Sequence, residues 1–332
     1  MSTARSTVKI TDVAALAGVA PMTVSRVLNN PGQVATATAL RVRAAIEQLG
    51  YVPNLIAGGL SSRRSRIVAA IVPTIATPVF ATSIQAFTDA LGHAGYHVVL
   101  GLSGYAPGGE DALVAAVLGR QPDGIMLAGA QHSPAVRLRL ATSGIPVVEI
   151  WDMVDDPADM IVGFDHASVG AAAAGYLRAK GHRRFATIGA DDPRAAARRH
   201  GLADAVRAGG GAVLFDTIMP APASIQGGRD AVAAAMRHLH QPVAVFCSSD
   251  LVAAGAVIEA QARGLAVPGQ LAVCGFGDFE ISAAMNPPIT TVAVDGAEIG
   301  RAAADCLLKR LGGVAGPRRV IVPFRIVERG SA

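Results

Sequence analysis

The 332-residue chain is poor in several residue types that mark particular classes of protein. Aromatic residues make up 4% of it, with a single Trp, and charged residues make up 16%. Its three cysteines, Cys247, Cys274 and Cys306, are odd in number and far apart. This pattern predicts buried reduced thiols rather than disulfides or a metal site. We therefore expect neither a metal ion nor a cofactor.

Membrane and export signals are also missing. A transmembrane helix needs roughly 18 or more apolar residues in succession, and every candidate run is interrupted by proline, glycine clusters or charges. The first residues, MSTARSTVKITDV, lack the apolar stretch and cleavage site of a secretory signal. We expect a cytoplasmic protein with two or three compact units.

Motifs of enzyme chemistry are absent as well. The sequence has no Gly-x-Gly-x-x-Gly at the start of a strand–helix unit, no phosphate-binding loop and no evident Ser/His/Asp order. These are the motifs that would indicate nucleotide binding or nucleophilic catalysis. The sequence therefore predicts a protein that is not an enzyme and has no catalytic residues.

Positive charge is concentrated at one end of the chain. Residues 1–66 contain eight basic and two acidic residues, a net charge of +6, whereas the rest contains 21 basic and 23 acidic residues. Such an asymmetry favours a polyanionic partner for the N-terminal segment alone.

The same segment has the pattern of a helix-turn-helix. In ITDVAALAGVAPMTVSRVLNN, apolar residues recur at helical spacing on both sides of Gly18. Gly18 breaks the first helix, and Pro21 suits the first position of the second, where its missing N–H is no loss. A third helix is predicted from 36 to 49. Its inward-facing residues are expected to be Leu40, Ala44, Ala45 and Leu49.

The start of the second helix in such a unit meets base edges in the major groove of DNA. Arg26 can donate two hydrogen bonds to a guanine, whereas Pro21 and Met22 can offer only apolar contact. Polar side chains suited to phosphate oxygens are Thr23, Ser25, Asn29, Thr38, Tyr51 and Asn54. The alternative is a three-helix bundle whose polar residues are merely solvated.

The stretches KITDVAALAGVAPMTVSRVLNNPGQV and LGYVPNLIAGGL resemble the DNA-binding headpiece and hinge of the LacI family of bacterial transcription regulators. The similarity continues at DGIMLAG, GIPVVE, GHRRFATIG, SSDLVAAGAV and PPITTV. PMTVSRVLNNPGQV, WDMVDDPADMIVGFDH and GFGDFE are most similar to its gluconate-repressor branch. The sequence departs from the family at Ala20 and Ala35, where Ser or Thr is usual, and a lost helix cap costs about 0.5–2 kcal/mol.

The resemblance implies a headpiece over residues 1–53 and a hinge over 54–66 that becomes helical when two headpieces sit on DNA. Leu60 would then wedge between base pairs in the minor groove, with Ala57 beside it among the DNA contacts. Gly58 and Gly59 each cost about 1 kcal/mol of helix propensity. We expect a hinge that is disordered in the free protein and folds on the operator, and alanine at both glycines should tighten DNA binding.

From Ile67 onward, apolar runs alternate with amphipathic helices. The first series is IVAAIVP, HVVLGL, GIMLAG, PVVEI and MIVGF, and the second is RFATIG, VLFDTI, AVFCSS and LAVCGFG. Near-continuous apolar strands predict buried parallel sheets, so the two series indicate two doubly wound α/β lobes. The resemblance implies a periplasmic-binding-protein-like domain over 67–332. Its expected lobes are about 67–164 with 295–320, and 165–290 with 321–332.

Ligands of open α/β sheets bind beyond the carboxyl ends of the strands. The resemblance places Arg198 there, where its guanidinium would pair with the carboxylate of a sugar acid. Further effector contacts are expected at Phe80, Glu149, Phe164, Arg194, Ser249 and Asp278. Both aromatic residues have an alternative role in the core, Arg194 could be solvated, Arg199 is predicted to be solvated, and the lone Trp151 is predicted to be a packing residue.

Two function classes follow. The first is a ligand-controlled repressor whose homodimer binds a pseudo-palindromic operator and is released by a sugar acid such as gluconate. A neutral or phosphorylated sugar effector, and a corepressor or activator mode, remain alternatives within that class. The second is a sugar-binding protein or enzyme with an incidental N-terminal bundle. The final VPFRIVERGSA has no leucine heptads, so a dimer is the expected assembly.

Overall fold

The protein is described here by a computed structural model of residues 8–52, 65–76, 78–106, 108–236 and 240–332. The chain forms two compact units, Met1–Ser65 and Arg66–Ala332. The hinge residues named above, Asn54, Ala57, Gly58, Gly59 and Leu60, lie outside the described residues.

Within residues 8–52, the described part of the first unit, the α-helices are α1 (Ile10–Ala17), α2 (Pro21–Asn29) and α3 (Thr36–Leu49). Gly18 adopts the left-handed conformation, with a φ of 65°, and ends α1, as a residue without Cβ can do at little cost. Pro21 is the first residue of α2, as predicted. Small apolar side chains form the core, namely Val13, Ala14, Ala17, Val24, Val27, Ala39, Val42 and Ala45.

The predicted inward face of α3 is confirmed at Ala45, which is buried, and at Leu49, which packs against the core, but it is wrong at the other two positions. Leu40 is 60% exposed and Ala44 is also exposed, whereas Ala39 and Val42 are buried. Alanines on both faces of this helix weaken the amphipathic pattern, so the sequence does not define its inward face sharply. Helices α2 and α3 both begin after an alanine, Ala20 and Ala35, that makes no side-chain capping hydrogen bond.

In the described part of the chain, no single helix is long and apolar enough to cross a membrane. Helices α1 and α2 meet the length and composition limits only when counted together across a bend of 100°.

The second unit is built on two six-stranded sheets with equivalent strand orders. The first sheet has the order β11-β5-β4-β3-β1-β2 and the second has the order β12-β10-β9-β8-β6-β7. The strands of the first are β1 (Ile67–Val72), β2 (His97–Leu102), β3 (Gly124–Ala128), β4 (Val147–Ile150), β5 (Met160–Gly163) and β11 (Arg319–Ile321). Those of the second are β6 (Arg184–Ala190), β7 (Ala212–Met219), β8 (Val243–Cys247), β9 (Leu271–Phe276), β10 (Thr290–Val294) and β12 (Phe324–Val327).

Helices connect successive strands. The first lobe carries α4 (Ala81–His93), α5 (Gly109–Leu118), α6 (Pro134–Ser143) and α12 (Gly296–Leu311). The second lobe carries α7 (His166–Ala179), α8 (Pro193–Ala208), α9 (Ile225–Ala235), α10 (Asp250–Ala262) and the short α11 (Glu280–Ala284). The two predicted α/β lobes are therefore present, and the helices bury the sheets as parallel strands require.

The chain passes between the lobes after β5, after β10 and after β11. Strand β10 pairs with β9, which places all of 290–294 in the second lobe. Ile321 was assigned to the second lobe, but it pairs with Gly163 of the first sheet. Strand β12 runs antiparallel to β10.

Edge strand β2 departs from the prediction of uniformly buried strands. Val99 is 55% exposed, Leu100 40% and Leu102 51%, although all three are apolar. Because β2 pairs only with β1 among the described strands, its other edge has no strand beside it. An apolar edge of this kind is a surface on which another chain can pack.

The three cysteines are buried and carry free thiols, as predicted. Burial raises the pKa of the Cys247 and Cys274 thiols. These groups therefore stay protonated and act as small apolar core residues.

Candidate functional site

A cavity that is partly open to solvent lies at the carboxyl ends of both sheets. The lining residues follow strands or begin helices in both lobes, which is the expected place for a ligand in a doubly wound fold. They are Val79, Phe80, Tyr105, Trp151, His166, Ala190, Asp192, Arg194, Arg198, Ala223, Ser248, Ser249, Leu251, Phe276 and Phe279.

Arg198 of α8 is the most deeply buried charge in this cavity, with 6% of its surface exposed. Its Nη1 donates to His166 Nδ1 at 2.8 Å and its Nη2 donates to the Ser248 carbonyl at 3.0 Å. The guanidinium lies 4.1 Å from the centre of the Phe276 ring. Among the described residues its Nε has no hydrogen-bond partner. Burial lowers the pKa of Arg198 to about 10, so it remains charged at neutral pH with one donor unsatisfied.

His166 is the first residue of α7 and is 3% exposed. Its Nε2 lies 2.9 Å from the Trp151 carbonyl oxygen. Burial, together with the positive charge of Arg198, lowers the pKa of His166 well below its usual value. The imidazole is therefore neutral, and it contributes hydrogen bonding rather than charge to the cavity.

Arg194 supplies the second positive charge. Its guanidinium lies 5.0 Å from the centre of the Phe80 ring, in the geometry of a cation–π contact. Asp192 is engaged at the start of α8, where Oδ1 accepts the backbone N–H groups of Arg194 and Ala195, each at 3.0 Å. Burial raises the pKa of Tyr105, which stays a neutral hydroxyl.

Aromatic rings form the apolar part of the wall. Phe80 and Trp151 meet edge to face with ring centres 6.1 Å apart. Phe276 and Phe279 face them from the second lobe. Five of the 14 aromatic residues of the chain line this one cavity. Trp151 is 3% exposed and packs in the core, as predicted, and it also lines the cavity.

Three helices of the second lobe begin at the cavity. His166 opens α7, Asp192 caps α8 and Ser249 caps α10, where its hydroxyl accepts the Val252 N–H at 3.4 Å. The positive ends of helix dipoles favour negative charge nearby. Together with Arg194 and Arg198 they bring positive charge to the cavity, and Asp165, Asp192 and Asp250 stand at the same three helix starts.

Glu149 is not at the cavity, in contrast to the prediction. It is fully buried, and its Oε1 lies 3.0 Å from His132 Nε2. His132 Nδ1 in turn lies 2.9 Å from Glu110 Oε2. Burial alone would lower the pKa of His132, but its hydrogen bonds to Glu110 and Glu149 raise it to about 9. The group is a buried ionic cluster inside the first lobe.

Two further predicted contacts lie behind the wall or outside it. Phe164 is 1% exposed and packs beneath Trp151, with ring centres 5.7 Å apart, so it supports the lining without belonging to it. Asp278 is ion-paired with Arg329 at 2.6 Å and does not line the cavity.

The prediction that Arg199 is solvated is also wrong. It is 5% exposed, and its Nη1 donates to the Ala190 carbonyl at 3.0 Å. Its Nε pairs with Asp216 at 3.1 Å. Arg199 therefore links β6, at Ala190, to β7, at Asp216.

Of the seven predicted contacts, the structure brings Phe80, Arg194, Arg198 and Ser249 together at the cavity. Polar and aromatic lining residues that were not predicted from the sequence are Tyr105, His166, Asp192, Ser248, Phe276 and Phe279. Most of these lie one to three residues beyond a strand end, a position that could have identified them. In the described residues no cluster of His, Cys, Asp or Glu has the geometry of a metal site.

The headpiece presents the predicted DNA-contact residues on α2. Met22 is 69% exposed, and Pro21, Arg26 and Asn29 are exposed as well. Thr23, Ser25, Thr38 and Tyr51 are half-buried. An exposed arginine one turn from an apolar helix start has the composition of a major-groove reader.

Two family models match the chain. Residues 9–54 match the bacterial regulatory proteins of the lacI family, and residues 174–332 match the periplasmic binding protein-like domain.

Similar proteins are found over nearly the full length. The HTH-type transcriptional regulator GntR of Escherichia coli K12 is 32% identical over 96% of this chain and 97% of its own. GntR of Pseudomonas aeruginosa is 35% identical over 92% of this chain and 89% of its own. A crystal structure of a Lacl family regulator from Silicibacter pomeroyi has a TM-score of 0.92 and 32% identity, and covers 98% of this chain and 99% of its own.

Proposed function

The chain belongs to the lacI family of bacterial regulatory proteins, and from this premise we propose that it is a dimeric transcriptional repressor released from its operator by a sugar acid. Its headpiece and its α/β domain are those of a DNA-binding regulator of this family, and the similar proteins are regulators rather than enzymes.

One observation above all supports an acidic effector. Arg198 is a buried guanidinium in the cavity wall, and a carboxylate of the ligand would neutralise its charge. Arg194 and three helix N-termini add positive potential, while the one lining carboxylate, Asp192, is already engaged in capping α8. A neutral sugar would leave that potential uncompensated.

The remaining walls suit the rest of a sugar acid. Rings of Phe80, Trp151 and Phe276 offer faces and edges for the C–H groups of a carbon chain. Ser248 and Ser249 hydroxyls, with the Tyr105 hydroxyl, offer partners for ligand hydroxyls. Gluconate combines these features, and the similarity to regulators named GntR agrees with it.

The exposed apolar edge of β2 supports a dimer. Val99, Leu100 and Leu102 are exposed apolar residues on this unpaired edge strand, which a second copy can cover. Two headpieces would then bind the two halves of a pseudo-palindromic operator.

The proposal is tested with the full chain and a DNA duplex that it selects from a random pool. D-gluconate should raise the melting temperature and release the duplex, whereas D-glucose and sorbitol should do neither. Binding of the duplex should weaken steeply with salt. Preference for the neutral sugars would overturn the acidic effector, and salt-independent or absent DNA binding would overturn the repressor.

A further inference from the structure

A row of buried hydrogen bonds joins the cavity arginine to the first lobe. Arg198 Nη1 donates to His166 Nδ1 at 2.8 Å, and His166 Nε2 lies 2.9 Å from the Trp151 carbonyl. Trp151 Nε1 donates to Ser83 Oγ at 2.8 Å, and Ser83 Oγ donates to the Gly296 carbonyl at 2.7 Å. Arg198 and His166 belong to the second lobe, and the other three to the first.

The chemistry of the groups fixes the direction of these bonds. A guanidinium carries donors only, so His166 Nδ1 must accept and the ring proton must sit on Nε2, from which it donates to Trp151. A second ring proton, on Nδ1, would place the donors of His166 and Arg198 opposite each other. The depressed pKa of His166 agrees with the neutral ring.

The members of the row expose little surface to water. Ser83 is fully buried, His166 and Trp151 are 3% exposed and Arg198 is 6% exposed. A buried donor or acceptor that loses its partner is destabilising. A change at Arg198 is therefore compensated by movement of its neighbour rather than by solvent.

The row ends where helices α4 and α12 of the first lobe are in close contact. Ser83 lies on α4, and Gly296 is the first residue of α12. A Cβ placed on Gly300 would lie 2.2 Å from the Ser83 carbonyl oxygen, so the two backbones are in direct contact there. A shift of Ser83 must therefore carry both helices.

We propose that His166 is a positioning residue that couples the occupancy of Arg198 to helices α4 and α12 of the first lobe. An anion that accepts from Arg198 draws the guanidinium away from His166 Nδ1. His166 then adjusts against the Trp151 carbonyl, and the displacement reaches Ser83 through the indole N–H. The identity of the anion rests on the proposed function, whereas the coupling is a property of the ligand-free protein.

The coupling is measured first without any ligand, by hydrogen exchange of the α4 amides, residues 81–93, in the full chain. In the parent, R198M should change the protection of these amides about threefold or more, which is the size expected of directly coupled groups. In an H166L background, R198M should change it by less than about 1.5-fold. H166Q should restore the response, because glutamine offers one acceptor and one donor. R207M, an exposed arginine of the same helix, is the matched control and should have no effect on α4. Equal effects of R198M in both backgrounds, or none in either, would overturn the coupling.

The second measurement uses D-gluconate. His166 lines the cavity, so H166L is expected to raise the calorimetric Kd, but the concentration that releases half of the bound duplex should rise about tenfold more than the Kd does. H166Q should behave like the parent. Equal factors for binding and release would overturn the coupling. If D-gluconate does not bind the parent, the proposed effector fails, and the exchange experiment still decides the role of His166.

Discussion

The two lobes share a strand order, but each buries a histidine of opposite character. His132 of the first lobe lies between two carboxylates and is cationic, with a pKa of about 9. His166 of the second lobe lies between an arginine and a carbonyl and is neutral. The same architecture therefore sets the charge of an imidazole entirely through its neighbours.

The two lobes also contribute different chemical groups to the cavity. The second lobe contributes both arginines, both serines and three helix N-termini, whereas the first contributes mainly the rings of Phe80, Tyr105 and Trp151. A ligand would thus meet charge from the second lobe alone and aromatic rings from both lobes. Substitutions of charged and of aromatic lining residues should consequently weaken ligand binding to different extents.

The largest effect is expected on the charged side. R198M should weaken D-gluconate binding about 100-fold, since a buried charge-assisted pair is lost and the carboxylate is left desolvated. Isothermal titration calorimetry measures the change, and R207M serves as the control on the same helix. Parent-like affinity in R198M would show that the acid does not bind at this arginine.

The next effect concerns pH and separates the two histidines. Because the folded-state pKa of His132 is raised from 6.5 to about 9, its contribution is full below about pH 6.5 and is lost as pH rises through 9. We expect the free energy of unfolding of the first lobe to fall by up to about 2 kcal/mol over this pH range, allowing for partial solvent screening.

His166 should act in the opposite sense. Its folded-state pKa is lowered, so its contribution is present above the unfolded value of about 6.5 and is lost as the pH falls below it. Hydrogen exchange, corrected for intrinsic rates, should therefore rise in the first lobe at alkaline pH and in the second at acid pH. H132Q should abolish the alkaline loss, and a parallel pH response of both lobes would contradict the assignment.

A smaller effect is expected on the apolar side. F80L should weaken D-gluconate binding about fivefold, because it removes the ring on which Arg194 rests and keeps most of the apolar volume. F87L is the matched control, since Phe87 is fully buried on α4, the helix that directly follows Phe80, but does not line the cavity. An equal loss of affinity in both variants would indicate a general loosening of α4 instead.

The smallest effect is expected at Asp278. D278N should change D-gluconate affinity by less than about twofold, because its carboxylate is held by Arg329 outside the cavity. A change of about tenfold in the Kd, measured by the same calorimetry, would show that Asp278 contributes to ligand binding.

Much of the fold was predictable from local pattern. Pro21 and Gly18 mark the turn of the headpiece by their backbone chemistry alone, and apolar runs locate most strands. The same logic failed at α3, where a face made of small residues left Leu40 outside.

The site was less predictable because partners come from distant parts of the chain. Glu149 follows the apolar strand pattern, but its carboxylate meets His132, 17 residues away. Asp278 meets Arg329, 51 residues away. Strand ends indicate where a cavity forms, whereas the direction of each side chain depends on long-range pairing that local spacing does not encode.

The position of Trp151 gives the unmodified protein its own optical probe. It is the single Trp of the chain, so all indole fluorescence originates at the cavity wall, beside Phe80 and hydrogen-bonded to Ser83. Emission intensity and wavelength should therefore respond to whatever fills the cavity, with no dye and no background from the headpiece. Compounds can be compared at micromolar protein concentrations in a plate reader, which makes the search for the natural effector a direct optical titration.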